Sequence, residues 1–230
     1  MLGPFDIAVW LVASLAEIAV LVCSLRSGLF RSYLSLNLYV LALAVCEILS
    51  LAVLLRYGFS SLQYTYFYFF SDAILILFKT AAVLGLYLHA FQEARIAERI
   101  RIAAIAAILA TIIYSLFFVV IKRKLFATAV ALEFSQILYC VTAVFSYVLW
   151  FILLKRRNPR LRLALLVSCF CLYSGAQTVA YGFHHFFPGI ALWRYVPAVL
   201  GAWLPLSLLY SFTRVHEETR VSAAYLEGRL

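Results

Sequence analysis

The chain has 230 residues, 66 % of them hydrophobic and 13 % charged, with a mean hydropathy of +1.01 and a formal charge of +9. A soluble domain is about half apolar and about a quarter charged, so this chain has too little polar surface to cover itself in water, and a polytopic membrane protein is the class that remains. The basic residues stand in short clusters between apolar runs, as topogenic signals do, which sets aside nucleic acid as a partner.

A helix crosses the hydrocarbon with about 20 apolar residues. Seven stretches reach that length: 5–25, 33–55, 64–91, 102–121, 126–154, 162–184 and 190–212. The expectation is an all-α polytopic transmembrane bundle of seven helices over residues 1–212, with a short cytoplasmic tail at 213–230. The first stretch, MLGPFDIAVWLVASLAEIAVLVCSL, lacks a basic leader and is long enough to span, so it reads as a retained helix and not as a cleaved signal. The breaks LRSGLFRS, RYGFSSLQ, FQEARIAERIR, KRK, KRRNPRLR and HHFFPG are too short to hide a soluble domain.

Basic residues set the orientation. With the N-terminus outside and the C-terminus in the cytoplasm, thirteen lysines and arginines lie on the inner side and five on the outer. Lys122, Arg123 and Lys124 are the cluster that dissents from this arrangement. The expected location is a multi-pass position in the inner (cytoplasmic) membrane, with the lipid bilayer as the obligatory partner.

Polar groups inside the spans are the informative ones. Four of the ten acids fall there away from the span ends, Glu17, Glu47, Asp72 and Glu133, together with Lys79 and the amides Asn37, Gln136 and Gln177. Arg194 lies at the outer mouth of the last span. An ionisable group at the bilayer centre costs about 2.5–3.5 kcal/mol on insertion scales, so such groups face protein and find partners. At about 1.5 Å per residue, Glu17 and Lys79 come out near mid-membrane. Glu47 lies somewhat above the middle, with Asp72, Glu133, Gln136 and Gln177 in the outer half. Asp72 and Lys79 are seven residues apart, on one face of the third helix and about 10 Å apart along its axis. Each is expected to reach an oppositely charged group on another helix: Glu17 or Glu47 for Lys79, and Arg194 for Asp72. The alternative is that these groups only glue helices together, since interhelical polar contacts in membranes average about 0.6 kcal/mol.

The seventh stretch, YVPAVLGAWLPLSLLYSF, places Pro197, Gly201 and Pro205 on one face, a hinge or a static kink. Aromatic clusters at 64–70 and 183–195 read as interfacial belts or, alternatively, as ligand walls. The five cysteines, Cys23, Cys46, Cys140, Cys169 and Cys171, all stand in apolar runs and form no CxxC pair. They read as small hydrophobes, not as a disulfide framework or zinc site.

Several chemistries fail on the residues. His89 lies at the opposite end of the membrane from His184 and His185, so they cannot share a haem. HExxH, GxSxG and a phosphate-binding glycine loop are absent, and no catalytic constellation survives. A rhodopsin-like Schiff base needs a lysine in the last span, and residues 190–212 contain none. The paired prolines of the three-plus-one-plus-three sugar transporters are missing from spans one and five. The LRSGLFRSY turn, the aromatic opening of the third span and the basic turn before the sixth give the chain its plan. In that plan it resembles a group of uncharacterised bacterial multi-pass membrane proteins. The resemblance implies the seven-helix fold and no particular activity.

The reading for function is a polar pocket opening outward that binds or transports a small molecule or ion, with protons as a candidate coupling ion and no cofactor or metal. Lys79, Glu47, Glu17, Asp72, Glu133 and Arg194 are its candidate residues. The rivals are a non-catalytic subunit bound to other membrane subunits and a sensor signalling through its inner loops.

Overall fold

In a computed structural model of the chain, the structure describes residues 4–58, 60–91, 98–99, 102–103, 105–107, 109–111, 113–114, 117, 127–155, 160–186 and 192–215. The dissenting basic cluster at 122–124, the core of the KRRNPRLR turn and the tail beyond 215 lie outside the described residues. Of the described residues, 92 % are helical and none lies in a strand. They belong to seven helices: α1 Pro4–Arg26, α2 Leu34–Tyr57, α3 Leu62–Ala90, α4, of which the described helical residues are 98–99, 102–103, 105–107, 109–111, 113–114 and 117, α5 Ala127–Lys155, α6 Leu161–Phe186 and α7 Leu192–Arg214.

Local chemistry sets the breaks. Gly58 ends α2 at a φ of +79°, a left-handed conformation that glycine adopts without a Cβ penalty, and its N–H donates to Leu54 O. Ser61 then caps α3, its hydroxyl accepting from Tyr64 N at 3.1 Å and satisfying one of the helix's first free donors. Gly28, at a φ of +67°, closes α1 in the same way. α7 runs as one helix through both Pro197 and Pro205.

Among the described residues, five helices are long and apolar enough to cross a membrane: Ala8–Arg26, Leu34–Tyr57, Leu62–Ala90, Val130–Lys155 and Leu161–Ala180. Their side chains sort by face. On α1, Ala13, Ala16, Glu17, Val20 and Ser24 are buried at helical spacing, while Leu11, Leu15, Ile18 and Leu25 are exposed. α2 exposes Leu34, Leu38, Leu41, Val45, Ile48 and Leu55. Large exposed aliphatic residues along whole helices would be a liability in water and are ordinary against lipid. The protein is a multi-pass membrane protein.

The chain divides into two compact units. One comprises residues 32–142, with α2, α3, α4 and the first half of α5. The other comprises 1–31 and 143–230, with α1, the second half of α5, α6 and α7. In the first, α2 packs closely on α3; in the second, α7 packs on both α1 and α6.

Candidate functional site

The residues that join chemistry to burial most clearly lie in the 32–142 unit, on the facing sides of α3 and α5. On α3, the buried stripe Ile76, Lys79, Thr80, Val83, Leu86, Tyr87 and Ala90 recurs at three- and four-residue steps. Lys79 belongs to this stripe with 1 % of its surface exposed, and Asp72, two turns earlier on the same face, is half-buried. On α5, Ser135, Tyr139 and Thr142 share one inward face.

Tyr139 joins the two charged residues of α3. Its hydroxyl donates to Asp72 Oδ1 at 2.9 Å, and its ring lies under the Lys79 ammonium, with Nζ 4.7 Å from the ring centroid. One phenol therefore serves the acid with its polar end and the amine with its π face. The acid and amine also attract each other directly. A cation held over an aromatic ring away from water is stabilised by about 2 kcal/mol or more. That is comparable to the insertion cost of one buried charge, about 2.5–3.5 kcal/mol. Ser135, one turn before Tyr139, is a further polar neighbour of the Asp72 carboxyl, although its Oγ does not reach hydrogen-bond geometry.

One turn along α5 from Tyr139, Thr142 meets Thr80, the residue after Lys79, with their hydroxyl oxygens 2.7 Å apart. Thr80 donates its proton to Ile76 O at 2.8 Å, so Thr142 is the donor between the two hydroxyls. On its other side α3 lies close to α2: a Cβ on Gly85 would come within 2.9 Å of the Ser35 Cβ and collide with its hydroxyl. Nearer the end of α3, the rings of His89 and Tyr33 lie 4.8 Å apart, centroid to centroid. Tyr33 O also accepts from Asn37 Nδ2 at 3.1 Å.

The other candidate residues are placed one by one. Glu47 on α2 and Glu133 on α5 are half-buried in the same unit. Glu17 is buried, with 2 % exposed, on the inward stripe of α1 in the second unit. Arg194 falls in α7 where side chains lie outside the described part. Gln136 is exposed on α5, one position along from the inward Ser135. Asp72 and Lys79 share a described partner in Tyr139, a tyrosine that the sequence does not single out. A tyrosine in an apolar run signals an interfacial belt by default. What marks Tyr139 is its place on the same α5 face as Ser135 and Thr142, a polar stripe at i, i+4 and i+7 legible in SQILYCVT.

In the second unit, Arg162 is buried, and both its Nε (3.0 Å) and its Nη2 donate to Val215 O, just past the end of α7. The sequence places this arginine in a cytoplasmic basic turn; its guanidinium ties the start of α6 to the end of α7. Cys169 and Cys171 are buried, Cys23 and Cys46 half-buried and Cys140 exposed. Among the described residues no group of three or more histidines, cysteines or acids is placed to hold a metal ion.

No protein-family model, curated protein or solved structure matches the chain.

Proposed function

We propose that this protein binds a small solute at the polar site formed by Asp72, Tyr139 and Lys79 and carries it across the membrane. One observation supports the reading: an acid and an amine, both costly in lipid, converge on the same tyrosine. A helix pair needing only adhesion is served by neutral contacts such as Thr80–Thr142, which carry no desolvation cost of this size. Placing ionisable groups here is therefore better explained by a task than by packing. With the N-terminus outside, as the distribution of basic residues favours, α3 runs inward and Asp72 lies toward the outer surface, with Lys79 deeper. The site then opens outward in a cytoplasmic membrane of the bacterial type.

Transport is tested by reconstituting the purified full chain in liposomes. Uptake of a panel of radiolabelled amino acids, sugars and small carboxylates is compared with that of protein-free vesicles, with and without a pH gradient. The expected result is accumulation of at least one solute, falling at least tenfold in Lys79→Met and Asp72→Ala proteins that keep their helical circular dichroism. No accumulation of any solute, together with stoichiometric co-purification of another membrane protein, would instead mark the chain as a subunit of a larger assembly.

A further inference from the structure

The side of α5 turned away from α3 carries a polar residue of its own. Gln136 is exposed there, and Cys140 and Val144 follow it, also exposed, at four-residue steps. At 100° per residue, Cys140 lies about 140° round the helix from Ser135 and about 160° from Thr142. This stripe is therefore separate from the one that meets Asp72 and Thr80. Glu133, one turn nearer the start of α5 and about 60° round from Gln136, is half-buried and borders the stripe.

Among the described residues of the five candidate spans, Gln136 is the only exposed amide or charged side chain more than one turn from a span end. Arg26, Arg56, Gln63 and Lys155 are exposed too, but they stand within a turn of an end, where headgroups and water are near. Gln136 lies about 9 Å along the axis from Val130, where its span begins. Its stem is too short to carry the amide back to the headgroups in the way that lysine and arginine do. Among the described residues none takes or gives it a hydrogen bond. An amide left in hydrocarbon is costly, and on membrane helices glutamine meets that cost by hydrogen-bonding across to another helix. The exposed run on α2, Leu34, Leu38, Leu41, Val45 and Ile48, is aliphatic and suits lipid as it stands.

We infer that the protein pairs with a second copy of itself along this face of α5, the two Gln136 amides hydrogen-bonding across the axis. Copies of one membrane protein insert in the same orientation, so a parallel pair sets Gln136 opposite Gln136 at one depth. A different protein would need a polar group at the matching height. A glutamine amide both donates and accepts, so two of them related by a two-fold axis satisfy each other, as an interface between identical patches requires. Cys140, small and one turn away, lets the two backbones approach. The pairing does not rest on the transport reading, because it uses the other side of α5 and holds whatever the Asp72–Tyr139–Lys79 site binds.

Single-molecule photobleaching tests this on the full chain, carrying one dye on a C-terminal tag and diluted into phosphatidylcholine liposomes. The expected result is two-step bleaching that gives way to one step as the ratio of protein to lipid falls. Gln136→Leu should keep its helical circular dichroism and shift that transition to about tenfold higher protein density, while Gln136→Asn, which keeps an amide, stays within about threefold of the parent. Oxidation of native membranes with copper phenanthroline should yield a disulfide-linked dimer of the parent chain that is missing from Cys140→Ala. One-step bleaching at every density overturns the inference. So does a Gln136→Leu chain that pairs as well as the parent, a linked dimer that persists in Cys140→Ala, or a parent chain that gives no linked dimer. A different membrane protein linked to Cys140 overturns it as well, and would mark this face as a contact within a larger assembly.

Discussion

Where α3 meets α2, the two backbones come together. Gly85 leaves no room for a side chain beside Ser35, and both of these residues are neutral. Where α3 meets α5, side chains reach across: Tyr139 to Asp72 and Lys79, and Thr142 to Thr80. At 100° per residue, Gly85 lies about 140° around α3 from Asp72, so one helix presents both surfaces at once. Small residues that let backbones approach are the ordinary means of holding membrane helices together, because lipid removes the hydrophobic drive between them. The α2 seam follows that rule at Gly85 and Ser35. A close approach of this kind needs neither an acid nor an amine, which is what makes the α5 seam informative.

The sharpest way to break the comparison is to remove charge from the α5 seam. Lys79→Met leaves a half-buried carboxyl without its neighbouring cation. Breaking a buried ion pair from one side costs about 3–5 kcal/mol in soluble proteins, and protonation of Asp72 would lessen that here. A fall of about 2–3 kcal/mol in reversible unfolding in mixed micelles is expected. Adding Asp72→Asn should restore most of it, since no carboxyl then needs a cation. A double variant as unstable as the single one would mean that Lys79 matters for its bulk and not for its charge.

Closing the α2 seam comes next. Gly85→Ala places a Cβ against Ser35 and should destabilise by about 1–3 kcal/mol, the usual cost of overpacking. Ser35→Gly in the same chain should recover it, and solute uptake should return with the fold. Loss of uptake in the recovered double variant would show that the neutral seam also serves function, and the contrast between the two faces would fail.

Tyr139→Phe sharpens the comparison further, because it keeps the ring under Lys79 and removes only the bond to Asp72. The expected cost is about 0.6 kcal/mol and no more than about 1.7, the range of interhelical hydrogen bonds in membranes. Tyr139→Leu removes the ring as well and should cost more. Equal losses in the two variants would show that the π face contributes nothing.

What the amino-acid order makes readable here is what one helix decides by itself. The spans follow from lengths of apolar sequence, and the α2–α3 break follows from a glycine and a capping serine three residues apart. The shared face of Asp72 and Lys79 follows from a spacing of seven. Partner choice is different, because it depends on how helices pack against one another. The sequence weighs charged partners for Lys79 and Asp72, since opposite charge is the strongest signal a residue list carries. A ring that offers its edge hydroxyl to one group and its face to another has no such signature. The same holds for Gly85: a glycine in a membrane helix is common, and only the neighbouring Ser35 shows that this one is a point of close approach.

The smallest expected effect addresses the neutral part of the α5 seam. Thr80 gives its proton to Ile76 O and accepts from Thr142, so the pair is fully used without any charge. Thr142→Val removes the donor and leaves Thr80 with its bond to its own helix, and Thr80→Val removes both. Single variants should each lose about 0.6 kcal/mol, and the double-mutant cycle should return a coupling of about the same size. If the α5 seam divides into a working half and an adhesive half, Thr80→Val and Thr142→Val leave solute uptake within about twofold of the parent chain, since about 0.4 kcal/mol of change corresponds to that factor. A tenfold loss of uptake at undiminished stability would extend the working site one turn along α5, to Thr142 and its partner Thr80.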